Sequence, residues 1–119
     1  MLIDADVILR YLLNDHPDHS QASSKLMEEV ERGGAEAYIH DVVIAEVVWA
    51  LEKFYEVSKS NIRDVLTELI SMRGIAVSDR TVLSRALWIY ADKDVDFVDA
   101  LLGALALEKG MGVPLKSLI

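Results

Sequence analysis

Short apolar runs alternate with amphipathic stretches along this chain. Residues 1–3, 37–39, 75–77 and 113–117 read as four short strands. Residues 7–13 continue the first run as a short helix with Asp6 as its N-cap. Residues 14–19 read as a polar loop containing Pro17. A second helix starts at Ser20, repeats Ala22, Leu26 and Val30 at helical spacing, and stops at Gly33-Gly34. Asp41 caps a third helix that runs to about Phe54. Ser58 or Ser60 opens a fourth, striped by Ile62, Val65, Leu66 and Leu69 and ended by Gly74. Asp79 caps a fifth that keeps Val82, Leu83, Ala86, Leu87 and Tyr90 on one face. A turn at residues 93–95 leads into the sixth, which Gly110 and Gly112 end. Every crossover between strands is long enough for parallel pairing. The pattern predicts one α/β domain over residues 1–119: an open parallel sheet flanked by helices, with ligands at the carboxyl ends of the strands.

Two of these helices carry an acid among apolar neighbours. Residues 97–107 are apolar almost all the way round, which predicts a buried helix, yet Asp99 sits inside it. Asp96 lies one turn earlier on the same face and doubles as a candidate N-cap; Gly103, one turn later, leaves room for something to approach. In the third helix, residues 42–51 hold nine apolar residues and one acid, Glu46, flanked on its own face by Val42, Val43, Trp49 and Ala50. Asp4 directly follows the first strand, where such folds place chemistry, although a turn or cap would also use it. A buried carboxylate is costly without compensation. Several acids converging are neutralised by a hard cation, and Mg²⁺ and Mn²⁺ take carboxylate oxygens. Such a site lowers the pKa of a bound water and stabilises charge on a phosphoryl oxygen.

Composition narrows the partners. A net charge of −8 gives no bulk attraction for a phosphate backbone, so nucleic-acid chemistry would rest on a local site, a cation or a partner. The chain has no cysteine, which excludes disulfides, thiolate zinc sites and thiol catalysis and fits a reducing cytoplasm. No apolar run is long enough for a membrane span, and no signal peptide is evident. His16-x-x-His19 reads as a solvated loop, and Trp49 and Trp88 read as core. Among the scattered cations, Arg10 is the one placed near the acids, as a candidate RNA contact.

Residues 2–12 (Leu-Ile-Asp-Ala-Asp-Val-Ile-Leu-Arg-Tyr-Leu), 43–51 and 95–106 resemble, in order and spacing, the motifs of PIN domains, especially the VapC-type toxins of prokaryotic toxin–antitoxin pairs. That resemblance implies an endoribonuclease in which Asp4, Glu46 and Asp99 bind Mg²⁺ or Mn²⁺, with Asp96 matching an extra acid of this branch. It also implies an RNA substrate, a cognate antitoxin and a homodimer. Two positions depart from the pattern. Asp4-Ala5-Asp6 stands where Asp-Thr-Asn is usual, so Asp6 keeps an oxygen ligand and adds charge. Ser117-Leu118-Ile119 stands where many members carry a fourth acid, so the usual C-terminal end is expected to be missing. Asp96 or Asp6 would then compensate, or the module would dimerise and bind an antitoxin-like partner without cutting. A lesser alternative treats Asp4-x-Asp6 as an aspartyl-phosphate site of a phosphotransferase, for which the accompanying motifs are not found.

Overall fold

The computed structural model describes residues 1–13 and 17–110. Among them lie six α-helices and a small parallel sheet: α1 (Ala5–Leu13), α2 (Pro17–Glu31), β1 (Ala37–Tyr38), α3 (Asp41–Trp49), a π-helical turn (Ala50–Phe54), α4 (Lys59–Ile70), β2 (Ile75–Ala76), α5 (Arg80–Asp92) and α6 (Phe97–Lys109). The predicted strand at residues 113–117, Gly112 and His16 lie outside the described residues.

β1 and β2 pair in parallel with Ala37 opposite Ile75, and the first strand joins β1 as a single parallel bridge, Leu2 to Tyr38. Ile3 donates its N–H to the Tyr38 carbonyl at 3.1 Å and Tyr38 donates to Met1 at 2.7 Å. The sheet is short, but its three members bury Ile3, Ala37, Ile39 and Ile75 in one core with Ile8, Met27, Ile44, Leu66, Leu87 and Tyr90. α1 packs on α2 and α3, α4 on α5, and α6 on α5 and α3. Gly74 holds the entry to β2: a Cβ there would overlap the carbonyl oxygens of Val30 and Ala35, so the close approach of these backbones requires glycine.

The helix starts differ from the sequence reading in three places, each for a capping reason. α1 begins two residues early because Asp4, not Asp6, caps it: Asp4 Oδ1 accepts from the Val7 N–H at 3.1 Å. α2 begins at Pro17 instead of Ser20, so part of the predicted loop is helix; proline suits a first turn, where its missing N–H would be unpaired anyway. Among the described side chains of α2, Ser23, Met27 and Val30 are buried, whereas Ala22 is exposed. α3 is capped by His40, whose Nδ1 accepts from the Val42 N–H at 3.0 Å, and Asp41 instead accepts from the Ser78 hydroxyl at 2.7 Å. α3 also does not run on evenly to Phe54; its last turn widens into the π-helical turn.

Elsewhere the pattern holds. Ser58 caps α4, Asp79 caps α5 and Asp96 caps α6. Val82, Leu83, Ala86, Leu87 and Tyr90 form the buried face of α5, and Ile62, Leu66 and Leu69 of α4 are core, whereas Val65, the fourth member of the predicted α4 stripe, is exposed because it sits at the edge of that face. Gly33, at φ 82°, and Gly110, at φ 63°, close α2 and α6 in the left-handed conformation that glycine adopts without penalty.

Candidate active site

The three strand segments deliver polar residues to their carboxyl ends. Asp4 follows the first strand, His40 and Asp41 follow β1, and Ser78 and Asp79 follow β2. The Ser78–Asp41 hydrogen bond ties the second and third of these together. Asp4 spends one carboxylate oxygen on the Val7 N–H. A carboxylate has about four lone-pair sites, so a capping role leaves acceptor capacity for a further ligand.

Glu46 and Asp99 are not buried, contrary to the sequence reading. Both are exposed, because the apolar residues around them are exposed as well. α3 buries Ile44, Val47 and Val48 and turns Val42, Glu46 and Trp49 outward; Val42 is 58% and Trp49 60% exposed. α6 buries the narrow strip Phe97, Ala100 and Ala104 and leaves Val98, Asp99 and Leu102 outward. The lone-acid-in-an-apolar-helix signal therefore marks an apolar surface studded with acids, not a desolvated interior. Trp49 and Trp88 are likewise exposed and not core; Trp88 lies under the Arg63 guanidinium, 4.3 Å from its ring centre.

Asp4, Glu46 and Asp99 thus stand on three elements that pack on one another, α1 with α3 and α3 with α6. Among the described residues, however, no three His, Asp or Glu side chains stand together closely enough to hold one metal ion. Like-charged exposed carboxylates repel and spread into solvent unless a cation draws them in. The donor set, all carboxylate oxygen, suits Mg²⁺ or Mn²⁺. Asp96 Oδ1 accepts from the Val98 N–H at 2.8 Å as the α6 cap. Asp6 is exposed in the first turn of α1, one helical turn before Arg10. Arg10 is half-buried and already engaged. Gly103 faces open space, as expected: a Cβ there would touch nothing.

Beside the acids is a cluster that the sequence analysis missed. Ala45, Val48 and Trp49 face Phe97 and Val98 across a cavity of about 250 Å³, and Glu46 and Asp99 each directly follow one of its lining residues. Tyr90, fully buried at its side chain, donates its hydroxyl to Glu52 Oε1 at 2.5 Å. Glu52 Oε2 meets Lys53 at 2.9 Å. Lys59 donates to the Val95 carbonyl at 2.9 Å, pairs with Asp94 at 3.0 Å and lies 4.6 Å from the centre of the Tyr90 ring. The Tyr90 hydroxyl holds the Glu52 carboxyl below its ordinary range, and Lys53 adds to this. Burial and then the Glu52 carboxylate push the Tyr90 phenol up. The local signal for this cluster is Ala45, Val48-Trp49 and Glu52-Lys53, one face of a helix at i, i+3/i+4 and i+7/i+8. Lys59 and Tyr90 carry no local signal, because only packing brings them together.

The family model described as "PIN domain" matches residues 1–113. The chain belongs to the PIN-domain family. Over 110 residues this PIN domain is 23% identical to a VapC ribonuclease of Aquifex aeolicus (strain VF5), covering 92% of the chain and 81% of that relative. Membership agrees with the observed architecture, in which a short parallel sheet ends on acids and is flanked by helices. No helix among the described residues is long and apolar enough to cross a membrane.

Proposed function

We propose that this PIN domain is a VapC-like endoribonuclease that depends on a divalent cation. The observation that carries the reading is that Asp4, at the start of α1, and Asp99, on α6, stand on the two helices that pack against α3, which carries Glu46, in a chain that matches the family over residues 1–113. Asp4, Glu46 and Asp99 would hold Mg²⁺ or Mn²⁺, with Asp96 and Asp6 as further oxygen donors. The chemistry such a cation supplies is activation of water and neutralisation of charge on a phosphoryl oxygen. The chain's own part is to hold that position. The Val7 N–H fixes Asp4, and α3 and α6 carry Glu46 and Asp99 from a rigid core. No side chain is required as nucleophile. The acidic surface repels RNA until cation binding offsets it, which makes binding and cleavage depend on the same acids. A cytoplasmic toxin of this type would act as a homodimer and be silenced by a cognate antitoxin; the exposed apolar residues around the acids give a protein partner something to bury.

The test is cleavage of total cellular RNA by purified protein with Mn²⁺. Activity that disappears with a chelator and in Glu46→Gln supports the reading; activity that survives both overturns it. A second reading has one observation in its favour: no three acids converge among the described residues. Under it the domain binds its partner without cutting, and neither Mg²⁺ nor Mn²⁺ would produce cleavage of any RNA.

A further inference from the structure

The cavity between α3 and the start of α6 differs in chemistry from the acids beside it. Its walls are apolar and aromatic, from Trp49, Phe97 and Val98, and its rim is polar. Two ammonium groups, Lys53 and Lys59, balance two carboxylates, Glu52 and Asp96, in a chain that carries eight excess negative charges. The recess therefore offers ammonium donors among its carboxylates, which the neighbouring acids do not. Its volume of about 250 Å³ is below the ordinary range for drug-sized ligands, roughly 300–1,000 Å³, and suits one flat ring system. The far wall is rigid. Tyr90 fixes Glu52, and Lys59 is held by Val95, Asp94 and the Tyr90 ring. The near wall is open, with Trp49 more than half exposed.

A nucleobase has apolar faces and polar edges, and unpaired bases in RNA are recognised by stacking on aromatic side chains while their edges form hydrogen bonds. We infer that this recess receives one unstacked base of a single-stranded RNA segment, its face on the Trp49 indole and its edge toward Glu52 and Lys53. Trp49 is then a positioning residue: by holding one base it sets which phosphate lies at Asp4, Glu46 and Asp99. The inference rests on the ribonuclease reading above and adds to it the requirement that the strand be unpaired at this point.

The chain has two tryptophans, so Trp88→Phe leaves Trp49 as the sole indole reporter. In Ca²⁺, which takes the same carboxylate oxygens in a looser geometry than Mg²⁺ and so spares the RNA, this protein can be titrated with single-stranded ten-mers of adenylate, cytidylate or uridylate and with total RNA. Saturable quenching of Trp49 emission by single strands, absent with the annealed adenylate–uridylate duplex, is the expected result. Affinity by fluorescence anisotropy should fall roughly five- to a hundred-fold in Trp49→Leu and largely return in Trp49→Phe. RNA that binds with unchanged emission and equal affinity in Trp49→Leu overturns the recess and leaves the ribonuclease reading standing. No binding of total RNA overturns both. Quenching by an Arg- and Lys-rich peptide but by no RNA assigns the recess to a protein partner and also overturns the inference.

Discussion

Asp4 caps a helix and is also the first of the acids proposed to hold the cation. It caps α1 through one oxygen and also stands at the carboxyl end of the first strand. Asparagine caps a helix about as well as aspartate. Asp4→Asn should therefore keep the fold, with a change of well under 1 kcal/mol by chemical denaturation, while losing cation binding and RNA cleavage. Full cleavage by that variant would remove Asp4 from the site. Tyr90 gives a second test at this scale. Glu52 has a folded-state pKa below its unfolded value, so its stabilising contribution is complete above the unfolded pKa. That contribution is lost as pH falls through the folded one. Tyr90→Phe should cost about 1–3 kcal/mol near neutrality, a hydrogen bond to a charged group, and the difference from wild type should shrink below pH 4. A gap in melting temperature that stays constant from pH 7 to pH 3 would show that Glu52 is not the phenol's partner.

At the scale of elements, capping and close approach decide where structure starts and stops. Three of the helices follow strands directly, and Asp4, His40 and Asp79 satisfy their first N–H groups. Asp41 would have been an equally good cap by residue type, but it is bound to Ser78 across the chain. The turn into β2 depends on Gly74. In Gly74→Ala the new methyl must push away Val30, in the last turn of α2, and Ala35, in the segment between α2 and β1. The expected loss is about 1–3 kcal/mol in urea unfolding, as for other overpacked sites. A loss below 0.5 kcal/mol would mean that this crossing is looser than described. The widened last turn of α3 falls at Ala50–Phe54, where Glu52 and Lys53 line the recess, which accords with the tendency of such turns to occur at functional positions.

For the whole molecule, the decisive quantity is the coupling between cation and fold. A ligand at 100 times its dissociation constant adds about 2.7 kcal/mol to the native state. Saturating Mn²⁺ should raise the melting temperature of the wild type, and Glu46→Ala, which removes an exposed side chain, should melt like the wild type without metal and gain little from it. An equal rise in both proteins would place the cation elsewhere on this acidic surface. Such a measurement does not depend on finding the right RNA, so it separates a domain that has lost its metal from one that has only met the wrong substrate.

The linear chain determined the order of elements and most of their faces. The stripe of α5 and the caps Ser58, Asp79 and Asp96 are local, since each depends on residues within one turn. The PIN family was legible in residues 2–12, 43–51 and 95–106, and the family model matches residues 1–113. Exposure was not legible. Nine apolar residues around Glu46 look the same in sequence whether the helix is wrapped by core or laid on its rim, and only the packing of α1 and α6 against α3 decided that its Val42-Glu46-Trp49 face stays outside. The recess was likewise decided by tertiary structure, because its members lie up to 53 positions apart, by the numbering of Ala45 and Val98. A pattern of neighbours along a chain records which faces a helix has; which of them finds a partner depends on elements far away in the sequence.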